Sequence, residues 1–228
     1  MMMLRTLTIF HFALLLLQWN QAWGAATLSD VLEGIHQRYG NLPSLTLPYT
    51  REVITRSMAM LGNRVKGDTA KGRIYFRPPH FLRLEQEIPR PETLVTDGHT
   101  LWWFVPEKGV VYQYPSKKFG KELALLSSVF QGLTLVEKDF QVEITEKKGG
   151  KGSQLLLRPN PPWEGIDRIV LTVTPAYDIS LLDIHNQLGG TTRFRLESPS
   201  KEKKLEEDFF RFIVPEGVRL IQEGLNGP

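Results

Sequence analysis

The chain has 228 residues, with 28 basic and 25 acidic side chains, 41% hydrophobic residues and no cysteine. The lack of cysteine excludes disulfides and thiolate metal sites, and a net charge of +3 offers no dense basic surface for nucleic acid. Without disulfides, the stability of the fold must come from apolar burial. About two hundred residues are enough to bury one sizeable core.

The first 24 residues have the pattern of a secretory signal peptide. Arg5 is basic, an apolar run follows at residues 7–17, and Ala22-Trp23-Gly24 is a small-x-small cleavage signal. A retained membrane anchor is the alternative, but the apolar run is short for a span. We therefore predict a cleaved leader at residues 1–24 and a single exported domain at residues 25–228.

An amphipathic helix is predicted at the start of the exported domain. Thr27 and Asp30 have the spacing of a capping box, and Gly40 provides a stop. Apolar residues recur between them at helical spacing: Leu28, Val31, Leu32, Ile35 and Tyr39.

Short runs of strand-forming residues follow, separated by Gly, Pro and Asp. The predicted strands are 53–61, 71–77, 81–88, 93–96, 101–105 and 110–114. The Asp97-Gly98 pair between two of them is the strongest hairpin signal, and it predicts a type I′ turn. Sequential short strands of this kind are typical of an antiparallel meander.

One apolar helix interrupts the strands at residues 116–131. Phe119, Leu123, Leu126 and Phe130 recur at helical spacing, and the apolar arc is wide for a surface helix. Two interpretations remain open: a helix buried in the core, or a helix that covers a cavity and contacts ligand on one side.

Strands resume after this helix and bring the total to about a dozen. They are predicted at 140–146, 154–158, 166–173, 179–186, 192–197 and 209–214. A long meander with only two clear helices must curl to hide its apolar face, and the helices then cover what the sheet leaves open. The fold class is therefore mainly β with a helical lid.

Catalytic and metal-binding patterns are weak. The four histidines of the exported domain (His36, His80, His99 and His185) lack metal-ligand spacing, and Ser127-Ser128 lies inside the apolar helix rather than in a nucleophile elbow. Glu85 and Glu87 share a strand face, a spacing also common on solvated strands. We therefore expect no enzyme activity, no metal and no cofactor.

Methionine and aromatic side chains are more numerous than the core of a thin, one-sheet domain requires. Ordinary core packing is one explanation, and a cavity for a flexible aliphatic ligand is the other. The candidate cavity residues are Met58, Met60, Phe81, Trp102, Phe104, Leu123, Leu126 and Phe130.

Several motifs, taken in their order along the chain, resemble the LolA family of periplasmic carriers of outer-membrane lipoproteins. They are the exported leader, the capped first helix, FRPPHF at 76–81, LVTDGHTLW at 94–102, the apolar helix after Pro115 and FRFIVPEGV at 210–218. The resemblance extends from about residue 27 to 220, and the Asp-Gly-x-Thr-Leu-Trp segment is its most specific part.

The resemblance implies an incomplete, strongly curved antiparallel β-barrel whose helical lid covers a hydrophobic cavity for acyl chains. It also implies that Arg77 holds the lid shut through hydrogen bonds to lid backbone, and that Phe81 is needed for loading. The implied partners are acylated lipoproteins, an inner-membrane ABC-type lipoprotein-releasing complex and an outer-membrane receptor. A monomer is expected, because transfer of a ligand needs no second copy.

Two departures from the family pattern affect the residue assignments. Arg77 precedes two prolines, so the second could be the motif proline, and Leu82 rather than Phe81 would then hold the aromatic position. The first strand, LPYTRE at 47–52, lacks the glutamine commonly found there.

Two alternative functions differ in how well the sequence supports them. A carrier of another lipid or a glycolipid shares all of these features, whereas a hydrolase would need a credible nucleophile, which the sequence lacks.

Overall fold

The computed structural model describes residues 26–61, 66–119, 121–146, 151–200 and 204–223. The predicted signal peptide lies outside the described residues. Two helices and a set of strands within these ranges were expected, and the structure contains both, with additional short helices.

The first helix begins where its capping box predicts. In α1 (Leu28–Tyr39), Thr27 accepts from the backbone of Asp30, and the Asp30 carboxylate accepts from the backbone N–H of Thr27 at 3.0 Å. This reciprocal pairing satisfies two N–H groups that the first turn leaves unpaired. One face of α1, including Val31, Ile35 and Tyr39, is buried.

Twelve strands form one sheet, and four shorter helices lie between them. The helices are α2 (Arg56–Met60), α3 (Ser116–Phe119), α4 (Lys121–Phe130) and α5 (Val136–Asp139). The strands are β1 (Leu45–Ile54), β2 (Asp68–Arg77), β3 (Phe81–Ile88), β4 (Glu92–Thr96), β5 (Thr100–Val105), β6 (Val110–Pro115), β7 (Phe140–Glu146), β8 (Ser153–Pro159), β9 (Ile166–Val173), β10 (Ile179–Asn186), β11 (Thr191–Leu196) and β12 (Arg219–Gln222).

The sheet is open, mostly antiparallel and curved around its helices. Its strand order is β12-β6-β5-β4-β3-β2-β1-β11-β10-β9-β8-β7, so β7 and β12 are the edges. Only the β12–β6 pair is parallel among the described strands. This architecture confirms the expected mainly β fold, an incomplete barrel with a helical lid.

The two faces of the sheet have different covers. We call the face that contacts α1 and α4 the inner face. Phe76 of β2 and Leu82 of β3 lie on it, in one buried cluster with Ile35, Leu126 and Phe130 of the helices. Since successive strand residues point to opposite faces, their neighbours Arg77 and Phe81 lie on the outer face.

Residues 204–223, which we call the C-terminal segment, cover the outer face of β2 to β6. The segment contains a short 3₁₀ helix at Glu207–Phe210 and ends in β12. Phe209 packs edge-on against Tyr75 with ring centroids 4.9 Å apart, and its carbonyl oxygen accepts from Arg83 at 3.1 Å. The strand predicted at 209–214 is therefore wrong, because these residues cross over the sheet instead of joining it.

Two other local predictions needed correction. The predicted strand at 53–61 ends at Ile54, where Thr55 caps α2 through the backbone N–H of Met58. The Asp97-Gly98 hairpin is present, but Asp97 has no positive φ and the turn is not type I′. Instead, the Asp97 carboxylate accepts from the backbone of His99 and Thr100, both at 2.8 Å.

Candidate functional site

Three half-buried aromatic side chains line the inner face of β5 and β6. Trp103 stacks on Tyr112 with centroids 5.2 Å apart, and Tyr112 stacks on Tyr114 at 6.1 Å. We call these residues the aromatic strip. Tyr114 and Leu94 pack against the buried cluster, so the strip continues the apolar surface that α4 contacts.

A band of polar side chains crosses the inner face beside the aromatic strip. Arg51 of β1 donates from NH2 to Oε1 of Gln86 on β3 at 3.2 Å. Gln86 is opposite Glu92 of β4, and Glu92 accepts from Nε1 of Trp103 at 2.9 Å. We call Arg51, Gln86 and Glu92 the polar band.

A small-residue gap allows Arg51 to reach Gln86 across the intervening strand. On β2, Ala70 is opposite Arg51 and Gly72 is opposite Gln86. A Cβ atom on Gly72 would lie 1.9 Å from the carbonyl oxygen of Glu85. A larger residue at 72 would therefore disrupt the approach of β2 and β3 at this point.

Glu122, in the first turn of α4, adds an acid near this band. Glu122 is an exposed residue, although many protein atoms surround its carboxyl group. Desolvation raises the pKa of the Glu122 carboxyl above its ordinary value, and the positive charge of Arg51 partly lowers it. The inner face therefore combines apolar, aromatic and charged groups under α4.

Leu123, Leu126 and Phe130 of α4 all lie in the buried cluster. The Phe130 ring is 5.7 Å from that of Phe76. The helix predicted at residues 116–131 is present as α3 and α4. These three side chains are where a lid over the inner face would place them, and their contact with acyl chains stays a prediction.

Trp102 and Phe104 are not on the inner face. The strand alternation places them on the outer face, whereas their neighbours Leu101 and Trp103 point to the inner face. Phe104 packs against Phe212 of the C-terminal segment, with ring centroids 5.9 Å apart. Both sheet faces are apolar here because each has its own cover, so the expected contact of Trp102 and Phe104 with acyl chains stays a prediction that their outer-face position does not favour.

Met58 and Met60 belong to α2, beyond the end of β1. Met58 is half-buried, and Met60 is 79% exposed. Among the described residues of α2, none belongs to the buried cluster. Both methionines therefore lie apart from the buried cluster, and their expected contact with acyl chains stays a prediction.

Arg77 contacts the C-terminal segment. Its NH2 lies 2.9 Å from Oε1 of Glu207, and its guanidinium carbon lies 5.5 Å from the centroid of the Phe81 ring. Its NH1 is buried without a hydrogen-bond partner among the described residues. The lid-latch role of Arg77 stays a prediction, and the contacts described here lead to the outer face.

Phe81 and Leu82 have separate environments. Phe81 is half-buried on the outer face, with its ring 5.7 Å from Phe210. Leu82 is 1% exposed within the buried cluster. Only Phe81 therefore shares a face with Arg77.

The described residues contain no group of three His, Asp or Glu side chains that could hold a metal ion. Glu85 is ion-paired with Arg83 at 2.7 Å, and Glu87 lies 4.0 Å from Arg73. A solvent-open groove of about 680 Å³ lies between α1 and residues 132–138.

Sequence reasoning missed the polar band and the aromatic strip. Strand alternation predicts that Trp102 and Trp103 face opposite ways, but it does not say which face a helix covers. Arg51 had one signal, since it lies in the segment that lacks the glutamine common in the LolA family. No periodicity connects it to Gln86.

The family model and the sequence relatives agree on one family. The family model for "Outer membrane lipoprotein carrier protein LolA" matches residues 60–213, more than half of the chain. An outer-membrane lipoprotein carrier protein from Nitrosospira multiformis is 23% identical, covering 94% of this chain and 96% of its own. One from Legionella pneumophila (strain Corby) is 26% identical, covering 93% of this chain and 98% of its own.

A solved structure of a LolA superfamily protein from Nitrosomonas europaea is 11% identical, with a TM-score of 0.47, and covers 82% of this chain and 99% of that one. Within the described residues, every helix is too short or too polar to cross a membrane. The match of the family model over more than half of the sequence shows that the chain belongs to the LolA family of outer-membrane lipoprotein carrier proteins.

Proposed function

We propose that this protein is a periplasmic carrier that binds the acyl chains of lipoproteins released from the inner membrane and delivers them to the outer membrane. The binding surface is the inner face of the sheet, and the helices α1 and α4 act as its lid. The observation that carries the proposal is the aromatic strip, three half-buried rings that continue the apolar surface under α4.

The aromatic strip suits an aliphatic ligand for a physical reason. Large aromatic side chains that keep part of their surface exposed gain free energy when apolar groups cover them. Trp103 and Tyr112 are half-buried and stacked, so they offer a continuous surface without side-chain rearrangement. A chain of methylenes contributes about 0.8 kcal/mol for each buried group.

Release is possible because a membrane or an acceptor protein offers the acyl chains a similar apolar environment. Only the difference between the two environments enters the transfer free energy. A lid that must open to admit ligand lowers the net affinity by its closure free energy. The apolar face of α4, with Leu126 and Phe130 buried against the sheet, supports such a closed state.

The proposed route follows from the relatives, which are outer-membrane lipoprotein carrier proteins. An ABC-type complex in the inner membrane would load the carrier, and an outer-membrane receptor would unload it. The protein would act as a monomer and without catalysis, after export by a cleaved leader. The alternative cargo is another lipid or a glycolipid.

A matched pair of neighbouring tryptophans tests the binding surface. Trp103→Ala should weaken binding of a fluorescent acyl probe several-fold, whereas Trp102→Ala, on the outer face, should leave it near the wild-type value. Equal losses in both variants, or no loss in either, would contradict a binding surface on the inner face.

The cargo needs a separate experiment. Protein purified from the periplasm of its own host, examined by native mass spectrometry, should carry the mass of an acylated lipoprotein. Incubation with inner-membrane vesicles that contain the releasing complex should move a lipoprotein into the soluble fraction. A bound glycolipid or other lipid, together with no lipoprotein release, would favour the alternative cargo.

A further inference from the structure

Arg51 is a cation on the inner face without an ion pair. Among the described residues, no carboxylate oxygen lies within 4.0 Å of its guanidinium. Glu92, the acid of the polar band, is engaged by Trp103. The hydrogen bond to Gln86 therefore joins Arg51 to a neutral amide and leaves its charge without a bonded counter-ion.

The Nε atom of Arg51 is fully covered and has no hydrogen-bond partner among the described residues. A buried donor without a partner loses its hydration and gains nothing in return, so such groups are rare in folded proteins. A guanidinium commonly engages carboxylates and phosphates with two N–H groups at once, because its fork matches two oxygens. A ligand anion would supply the missing acceptor.

Glu122 does not remove this requirement. It approaches from α4, which is part of the proposed lid, and the residue is exposed to solvent. Burial raises the pKa of the Glu122 carboxyl, so its charged form is disfavoured where it lies. A movement of α4 away from the sheet would also take Glu122 away from Arg51.

Arg51 lies at the end of an apolar surface, so the site offers one charged group and one apolar region, as an amphiphile requires. Towards the start of β1, alternate residues on the same face are apolar and buried: Tyr49, Leu47 and Leu45. Beyond Gln86 on β3, Leu84 and Leu82 continue this apolar surface. An anionic head at Arg51 would therefore place an attached aliphatic chain along the strands and under α4.

We propose that Arg51, supported by Gln86, binds the anionic head group of an acyl ligand on the inner face, as a carboxylate or a phosphate. This inference rests on one part of the proposed function, that the inner face takes acyl chains. An acidic head group belongs to the alternative cargo, another lipid, because the acyl chains of a lipoprotein are attached through neutral esters and amides. It adds a preference for acidic over neutral amphiphiles, which the apolar surface alone would not produce.

The test compares three ligands with the same alkyl length: laurate, dodecyl phosphate and methyl laurate. Each displaces a neutral fluorescent acyl probe from the full exported protein. The wild type should bind one or both anions at least about tenfold tighter than the ester, which is the effect of one charge-assisted hydrogen bond. The anion that binds more tightly identifies the head group.

Arg51→Gln should lose the preference and keep its affinity for methyl laurate, and Arg51→Lys should keep part of the preference. The matched control is Arg73→Gln, which removes an arginine from the outer face of β2 and should leave the preference unchanged. Glu122→Gln should strengthen anion binding, because it removes a competing carboxylate.

The outcomes separate this inference from the proposed function. Equal wild-type affinity for anions and ester, or an unchanged preference in Arg51→Gln, would overturn the role of Arg51 and leave the acyl carrier intact. Failure of all three ligands to displace the probe would overturn both. The wild-type comparison stands even if Arg51→Gln folds poorly.

Discussion

The Arg77 guanidinium lies 2.9 Å from the Glu207 carboxylate, and this ion pair joins the end of β2 to the C-terminal segment. The side chain of Arg77 is only 14% exposed, whereas that of Glu207 is 64% exposed. Arg77 is therefore held in place by the sheet, whereas Glu207 is accessible to solvent and can move away from it.

Arg77→Leu should load cargo normally and release it more slowly than the wild type. The resemblance to the LolA family implies that this arginine favours the closed, empty state, so its loss stabilises the loaded protein relative to the empty one. Transfer of a loaded lipoprotein to acceptor membranes measures the effect. Release at the wild-type rate would contradict the latch.

Glu207→Gln tests whether Arg77 acts through the C-terminal segment. If it does, Glu207→Gln should slow release as Arg77→Leu does, and amides of residues 208–212 should exchange faster with solvent in both variants. The control is Glu206→Gln, at an exposed neighbouring position. Slow release in Arg77→Leu alone would instead point to a direct effect on the helical lid.

Phe81 and Leu82 should respond differently to substitution. Leu82→Ala creates a cavity in the buried cluster and should cost about 2–5 kcal/mol of unfolding free energy. Phe81→Glu places a carboxylate beside Arg77 on the outer face, and the resemblance to the LolA family implies that it prevents loading while the fold persists. Chemical denaturation and a loading assay measure the two effects, and normal loading of Phe81→Glu would favour Leu82 as the motif position.

Glu122 should make stability depend on pH. Because its pKa is raised in the folded state, its contribution to stability is fully present below the unfolded-state pKa and is lost as pH rises through the folded value. Glu122→Gln should therefore raise the unfolding temperature at pH 7 more than at pH 4. An equal change at both pH values would contradict this origin.

A direct titration of the Glu122 carboxyl by NMR provides a second measurement. Since the charge of Arg51 lowers its pKa, Arg51→Gln should raise that pKa further. A value that does not move would show that the two groups are not coupled.

Asp183 and Arg193 form a two-bond pair between β10 and β11. Arg193 donates from Nε to Oδ1 and from NH2 to Oδ2 of Asp183, each at 2.8 Å. Asp183 is 7% exposed, so Arg193→Ala would leave a buried carboxylate unpaired and should cost roughly 2 kcal/mol of unfolding free energy. Arg195→Ala, at an exposed position of β11, is the control and should change it by less than about 0.5 kcal/mol. Equal losses would contradict the importance of the pair.

Local chemistry in the sequence was enough to predict many elements. Thr27 and Asp30 predicted the start of α1, because a capping box depends on residues three positions apart. Asp97-Gly98 predicted a hairpin, since Gly98 has a positive φ of 89°. Most of the strands and the apolar helix after Pro115 followed from turn residues and hydrophobic periodicity, whereas β12 was missed and the strand predicted at 209–214 is absent.

The placement of the site depended on contacts between distant parts of the chain. Strand periodicity alone could not show that Trp103 lies on the inner face and Trp102 on the outer face. The physical reason is that β2 to β6 are covered on both faces, by α4 on one and by the C-terminal segment on the other, so both sets of alternating side chains are apolar. Arg51 and Gln86 meet only because β2 has Ala70 and Gly72 between them. The sequence by itself determined a curved sheet with a helical cover and its family resemblance, and only the tertiary structure decided which side chains face the lid.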